Sequence, residues 1–241
     1  MKQNNPWGPN SNMNQRPKSQ AQTIDQFSTD HQIAANKVLR NTYLMLSMTL
    51  LFSAMTAAVS MSMGSIPINP IMMLIIYFGL LFAVNKTKNS PMGIVFTFAL
   101  TGFLGFVIGP ILNFYITTFS NGSELILMAL GSTALIFFGL SALALNPRRN
   151  FTRMGGFLSI GIIVTLVAIV ANLFLQIPAL ALAISVILAL ISGALIMWQT
   201  NMIVKGGETN YIMATITLYV SIFNIFIVIL QFLGMFAGDR N

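Results

Sequence analysis

The sequence has no cysteine, a single histidine and very little charge. Without cysteine, the chain can form no disulfide framework, thiol nucleophile or cysteine metal site. The one histidine, His31, lies in a polar N-terminal stretch. A membrane hydrolase needs an imidazole or a metal ligand at bilayer depth, and this chain offers neither. We therefore expect a protein that is not an enzyme, with no catalytic residue, no cofactor and no metal site.

Scarcity of charge points to lipid as the solvent. Charged residues make up 7% of the 241 residues and hydrophobic residues 56%, whereas a soluble domain carries about 25% charged residues. The net charge of +7 comes from twelve Lys and Arg against five Asp and Glu. Because the basic residues lie between long apolar runs, we interpret them as topology signals rather than as a surface for nucleic acid. The composition predicts an all-α integral membrane protein embedded in a lipid bilayer.

The uncharged runs predict seven transmembrane helices. A span needs about 20 apolar residues, so the runs 41–85 and 154–204 are each too long for one helix, and Pro67 and Pro178 mark the breaks. The expected spans are 41–63, 68–85, 93–115, 124–145, 154–175, 179–200 and 211–236.

The N-terminal segment differs from the rest in composition. Residues 1–34 are rich in Asn, Gln, Ser and Pro, and such a segment cannot bury enough apolar surface to offset its ordering entropy. We expect a disordered cytoplasmic tail over residues 1–34, followed by a membrane domain over residues 35–241. A helix that starts near Asp30 and continues into the first span is also compatible with the sequence.

Basic residues alternate between the predicted loops. Lys and Arg occur in the N-terminal segment and after spans two, four and six, whereas the loops after spans one, three and five have none. Only Arg240 falls on the other side of the membrane. Because basic loops stay in the cytoplasm, the alternation predicts a cytoplasmic N-terminus and a C-terminus on the far side.

Small residues form a stripe in the third span. Gly102, Gly105 and Gly109 lie on one helix face, which lets a neighbouring helix approach closely. Pro110 removes one helical hydrogen bond and kinks the helix, and Asn113 lies about one turn beyond it. We interpret the stripe as a packing surface with a kink; the alternative is a hinge that lines a pathway.

Polar residues form stripes in the last two spans, where acidic and basic residues are absent. The span-six stripe consists of Ser185, Ser192 and Gln199, and the span-seven stripe of Thr217, Ser221, Asn224 and Gln231. Polar groups in hydrocarbon need partners, so both stripes should face protein. They form either interhelical hydrogen bonds or a polar lumen between spans six and seven. Coupled transporters usually keep an intramembrane carboxylate, so its absence argues against coupled transport.

Five segments have a characteristic order and spacing. They are VLRNTYLMLSMTL (38–50), TGFLGFVIGPILNFY (101–115), ANLFLQIPALALAIS (171–185), GGETNYI (206–212) and TLYVSIFNIF (217–226). From about Lys37 to the end, the chain resembles the Bax inhibitor family of seven-span membrane proteins, and within it the bacterial YccA branch.

This resemblance implies a fold and a partner. The fold would be a bundle in which the seventh helix is surrounded by the other six. The protein would lie in the cell inner membrane, with its C-terminus in the periplasm. It would modulate FtsH, the membrane-bound ATP-dependent protease, and associate with the FtsH companions HflK and HflC.

The resemblance also implies an alternative function, a cation or calcium leak through the bundle. Leak members of the family carry one aspartate on helix six and another on helix seven, which form a pH-sensitive pair. In this chain Gln199 and Ser221 occupy those two places, and neither side chain ionises. The substitution argues against a proton-gated leak and favours an interaction protein.

The predicted topology can be tested with alkaline phosphatase, which is active only outside the cytoplasm. Fusions in loops without Lys or Arg should be active, and fusions in basic loops should be inactive. The active positions are after Gly64, Asn121, Ile177 and the C-terminus, and the inactive positions are after Asn89, Asn150 and Gly206. One strong signal of the wrong sign in the middle of the chain would contradict seven spans.

Overall fold

The computed structural model describes residues 18–63, 69–146 and 148–238, and over these ranges the chain is helical apart from short connections. The helices are α1 (Lys18–Met63), α2 (Pro70–Thr87), α3 (Pro91–Thr118), α4 (Gly122–Leu145), α5 (Met154–Leu175), α6 (Pro178–Val204) and α7 (Tyr211–Gly238). All seven contain a stretch long and apolar enough to cross a membrane. Over the described residues, the prediction of an all-α protein with seven helices able to span a membrane is confirmed.

Proline and capping residues set several helix starts. Proline lies in the first turn of α2, α3 and α6, where its missing N–H leaves no hydrogen bond unmade. The side chain of Asn69 accepts a hydrogen bond from the backbone N–H of Ile71 at 2.9 Å, and Ser90 accepts one from Met92 at 3.3 Å. Between α5 and α6, Gln176 has a positive φ of 52°, so the chain turns where the sequence predicted a break.

Helix α1 extends further towards the N-terminus than expected. It begins at Lys18, whereas the sequence predicted a disordered tail up to residue 34. The first 17 residues of that predicted tail lie outside the described residues. At 46 residues, α1 is about 69 Å long, more than twice the thickness of the ~30 Å hydrocarbon core. Once the apolar part of a helix is fixed, each further residue adds a backbone hydrogen bond, so a polar extension can remain helical.

Helices α1 and α3 pack closely through glycine. The glycines of α3 that face α1 are Gly102, Gly105 and Gly109. A Cβ atom added to Gly105 would overlap the backbone carbonyl oxygen of Ser53, and one added to Gly109 would lie 2.6 Å from the Cβ of Ser60. Because successive glycines meet successive turns of α1, the two helices run in the same direction with their backbones nearly in contact.

Burial is concentrated on α7. The buried share of its apolar stretch is 56%, higher than in the other six helices, and it packs on α1, α3, α4 and α6. Helix α2 packs on α3, and α5 packs on α6. In α2 the buried residue is Val84, and in α5 the buried residues are Leu158 and Thr165. Most of the surface of α2 and α5 therefore faces outward.

The contact between α1 and α3 predicts opposite effects for two Gly→Ala substitutions. Gly105→Ala should lower the free energy of unfolding by about 1–3 kcal/mol, because the new methyl group meets backbone that cannot move without separating the helices. Gly79→Ala is the control, since a Cβ there meets no atom within 4 Å. It should raise the free energy of unfolding by up to about 1 kcal/mol, because alanine is the better helix former.

Both variants can be measured by thermal or denaturant unfolding in detergent micelles. Equal stability of the two variants would contradict the close approach of α1 and α3.

Candidate functional site

Polar side chains of α6 and α7 meet at two levels. Ser185 Oγ donates a hydrogen bond to Gln231 Oε1 at 2.9 Å, and Asn224 Nδ2 donates to Ser192 Oγ at 3.3 Å. Seven residues separate the two levels on each helix, so the pairs repeat every two turns along antiparallel helices. We call these residues, together with Gln199, Thr217 and Ser221 at the next level, the polar seam. At its two bonded levels, the seam provides the partners that polar groups need in hydrocarbon.

The third level of the polar seam is arranged differently. Gln199 and Ser221 are both buried, with exposures of 2% and 0%. Ser221 Oγ donates to the carbonyl oxygen of Thr217 in its own helix at 2.7 Å, and Thr217 Oγ1 in turn donates to the carbonyl oxygen of Met213 at 3.0 Å. Gln199 Nε2 points towards the loop after α6 and lies 3.5 Å from Glu208 Oε2, at the limit of a hydrogen bond. The two hydroxyl groups are thus satisfied within α7, and the amide turns towards the loop.

The loop between α6 and α7 is anchored by Asn210. Its Oδ1 accepts hydrogen bonds from the backbone N–H groups of Ile212 and Met213 at 3.0 and 3.1 Å, which caps the start of α7. Its Nδ2 donates to the carbonyl oxygen of Lys88 at 2.9 Å, and its own N–H donates to Glu208 Oε1 at 2.8 Å. The α6–α7 loop is therefore tied to the α2–α3 loop.

A second asparagine, Asn201, ties the last turn of α6 to the α4–α5 connection. Its side chain is fully buried. Nδ2 donates to the carbonyl oxygens of Ala144 and Arg149, each at 3.2 Å, and Oδ1 accepts from the N–H of Phe151 at 3.0 Å. Neither asparagine was predicted from the sequence to be functional. The pattern that could have indicated them is an asparagine at each end of the loop that joins spans six and seven.

Two tyrosines, also missed from sequence, connect α7 to the helices around it. The hydroxyl of Tyr219 lies 2.5 Å from Ser53 Oγ on α1 and donates to the carbonyl oxygen of Thr101 on α3 at 3.2 Å. The hydroxyl of Tyr115 on α3 donates to the carbonyl oxygen of Leu230 at 3.0 Å. The sequence feature that could have indicated Tyr219 is the Leu-Tyr pair at residues 218–219, next to the polar stripe. These bonds fix α7 against α1 and α3 at two depths.

The glycine stripe and the polar seam lie at contacts between different pairs of helices. The three stripe glycines face α1, whereas the seam joins α6 to α7. Helix α3 continues through Pro110 to Thr118, and the carbonyl oxygen of the half-buried Asn113 accepts a hydrogen bond from Thr117 Oγ1 at 2.9 Å. The structure does not bring Pro110 and Asn113 together with Gln199 and Ser221.

Charge lies outside the membrane-spanning core. Among the described side chains, the carboxylates are Glu124 in the first turn of α4 and Glu208 in the α6–α7 loop. Two basic residues of α1 lie just before Thr42, whose carbonyl oxygen accepts a hydrogen bond from α7. The others lie in or beside the loops that Asn201 and Asn210 connect. We call this the basic end of the bundle; its described members are Lys37, Arg40, Lys86, Lys88, Arg148, Arg149, Arg153 and Lys205. The polar groups inside the spans are neutral amides and hydroxyls, which exchange hydrogen bonds but do not titrate near neutral pH.

Comparisons with known proteins agree with this architecture. Residues 35–238 match the family model described as inhibitor of apoptosis-promoting Bax1. The chain is 49% identical over 207 residues to the modulator of FtsH protease YccA of Escherichia coli strain K12, covering 86% of this chain and 94% of that protein. The identity and coverage are the same for a protein of a second E. coli strain, named inner membrane protein YccA. An uncharacterized protein of Pseudomonas aeruginosa is 50% identical over 202 residues, covering 84% and 90%.

The neutral pair Gln199 and Ser221 predicts little ion flux. Two close carboxylates repel each other, so their proton occupancy responds to pH. An amide and a hydroxyl show no such response, and they lack the negative charge that attracts a divalent cation. The protein in liposomes should pass little calcium, with no steep change between about pH 6 and pH 8. Gln199→Asp combined with Ser221→Asp should create pH dependence.

Dye-reported calcium entry is the measurement for the wild type and these variants. Each single replacement is the control, since one buried and mostly protonated acid should give little flux. A large, acid-sensitive flux in the wild type would contradict this interpretation.

Proposed function

The chain belongs to the family described as inhibitors of apoptosis-promoting Bax1, and from this premise we propose that it binds the protease FtsH in the inner membrane and modulates its activity. The observation that carries the proposal is the 49% identity to a named FtsH modulator across 94% of that protein's length. The modulation we propose is restraint: the bundle engages FtsH and slows its turnover of membrane substrates. HflK and HflC, the companions of FtsH, belong to the proposed assembly.

A physical reason for restraint lies in how the bundle is held. An ATP-driven protease must pull helices out of the membrane, and the rate of forced extraction depends on the barrier to unfolding. Here α7 is bonded to α1 and α3 through Tyr219 and Tyr115 and to α6 through the polar seam. A bundle tied in this way would be a slow competing substrate that occupies the protease.

The orientation in this proposal places the N-terminus in the cytoplasm and the C-terminus in the periplasm. The support is the basic end: three separate loops and the start of the apolar part of α1 carry Lys and Arg there. At the opposite end, the described α3–α4 and α5–α6 connections have none. Positive loops are retained in the cytoplasm, which is also the side where an ATP-dependent protease has its nucleotide.

In this proposal α7 is the axis of the bundle. Its high burial and its contacts with α1, α3, α4 and α6 support that position. Helices α2 and α5 then lie at the periphery with their apolar faces directed outward. Side chains such as Phe82 on α2 and Val167 on α5, both exposed in the monomer, are available to a partner helix within the bilayer.

A cation or calcium leak is the second candidate. The observation in its favour is Glu208, whose carboxylate lies near Gln199 where the polar seam meets the basic end. Against it stand the neutral side chains at both family aspartate positions. Calcium flux in liposomes distinguishes this candidate from the first.

The proposed interaction predicts that FtsH copurifies with the tagged chain from native membranes in mild detergent. Photo-cross-linking residues at Phe82 and Val167 should give an FtsH adduct from at least one of these outward positions. The same residue at Thr165, which is buried beside Val167 in sequence, is the matched control and should give none. Mass spectrometry of the purified material and of the adducts is the measurement. Absence of FtsH from both experiments would contradict the proposal.

A further inference from the structure

An apolar groove of about 460 Å³ separates α1 from α4, with α7 as its floor. The α1 wall runs from Tyr43 to Met61, and the α4 wall runs from Ile126 to Phe138. Leu130 and Phe138 on the α4 side are 50% and 65% exposed, so the groove opens sideways, out of the bundle. Its position is distinct from the polar seam, which lies between α6 and α7.

The groove is long. It runs for roughly 27 Å along α1 between Tyr43 and Met61, at about 1.5 Å per residue, which is close to the ~30 Å thickness of the hydrocarbon core. Because the groove is apolar and open to one side, it can accommodate the acyl chain of a lipid beside the bundle. A lipid of one leaflet would occupy the half of the groove nearer to its head group.

The two ends of the groove differ in polarity. Ile108 and Leu112 of α3 line the end near Met61, which is apolar. At the other end the rings of Tyr43 and Phe137 are in contact, with centroids 5.9 Å apart. The hydroxyl of Tyr43 is buried and has no hydrogen-bond partner among the described residues, and the same holds for Ser141, one turn beyond Phe137 on α4. Of these two residues only Tyr43 lines the groove, so this end offers the hydroxyl of Tyr43 to a polar group.

The polar end of the groove is also the basic end of the bundle. Arg40 is exposed on α1, three residues before Tyr43 and on the same helix face. Arg148 and Arg149, both exposed, follow the end of α4. Among the described side chains, Glu208 is the carboxylate at this end, and its Oε1 accepts a hydrogen bond from the N–H of Asn210. The charge beside the opening is therefore positive and complements a phosphate group.

We propose that the groove holds one acyl chain of an anionic phospholipid, whose phosphate lies beside Arg40 at the basic end. Lipid tails gain little by exchanging one apolar surface for another, so selectivity for this lipid comes from the charged head group. Basic pockets between transmembrane helices bind anionic head groups in this way. The inference does not depend on binding to FtsH.

The test is native mass spectrometry of the full chain, purified in micelles containing equal amounts of dioleoyl phosphatidylglycerol and dioleoyl phosphatidylcholine. These probes have the same acyl chains and differ in head-group charge. The wild type should retain one phosphatidylglycerol in preference to phosphatidylcholine. Arg40→Gln should lower that preference about fivefold, whereas Lys86→Gln, which removes a charge at the same end but on α2, should leave it unchanged.

A second pair of variants tests the location of the chain. Ser47 lines the groove about 10 Å along α1 from Arg40 and is exposed, so Ser47→Phe should block the half of the groove next to the head group and abolish lipid retention. Met48→Phe, at the adjacent position outside the groove lining and 57% exposed, should retain the lipid. Both variants change the outer surface rather than the core, so both should remain folded.

Three outcomes would overturn the proposal. Equal retention of the two lipids would show that the head group is not selected. Equal loss in Arg40→Gln and Lys86→Gln would show only a general surface-charge effect. Unchanged retention in Ser47→Phe, or a cross-link from position 47 to a protein in native membranes, would place the lipid elsewhere or assign the groove to a different occupant.

Discussion

Ser53 is the point at which three helices meet, and the constraint that acts there is the cost of leaving a polar group unpaired inside the bilayer. Its hydroxyl lies 2.5 Å from the hydroxyl of Tyr219 on α7, and its backbone oxygen lies against Gly105 of α3, where any side chain would collide. Water is absent at this depth, so the hydroxyl of Tyr219 must find protein partners. It finds them only because glycine allows α1 and α3 to approach so closely. The position of α7, and hence of the seam that it forms with α6, depends on this junction.

Some of the fold could be predicted from the sequence because its signals are local. Long uncharged runs define spans, and Pro178 divides two of them, since hydrophobic length and proline act within a few residues. The start of α1 was not predictable in the same way. Polar residues such as those between 18 and 34 fit both a disordered tail and a helix continued from an apolar span, and composition does not separate the two.

The candidate site was only partly accessible from sequence. Periodicity puts the glycines of α3 on one face, but it does not identify the helix that faces them; the structure shows that it is α1. For the polar stripes, spacing grouped Ser221 with Asn224, yet Asn224 bonds across to α6 while Ser221 bonds within its own helix. The links that Asn201 and Asn210 make to other loops were missed because the partners in those loops lie 50 or more residues away in sequence, and only the folded chain brings them together.

A bundle bonded internally by neutral groups suits a protein that interacts with a membrane protease better than one that conducts ions. The most direct test is proteolysis in liposomes containing FtsH, ATP and a membrane-anchored substrate of the protease, with increasing amounts of this protein. We predict that the rate of substrate cleavage falls as the protein is added and that imposing a calcium gradient does not alter the effect. An unchanged cleavage rate at amounts that saturate the membrane would contradict the account.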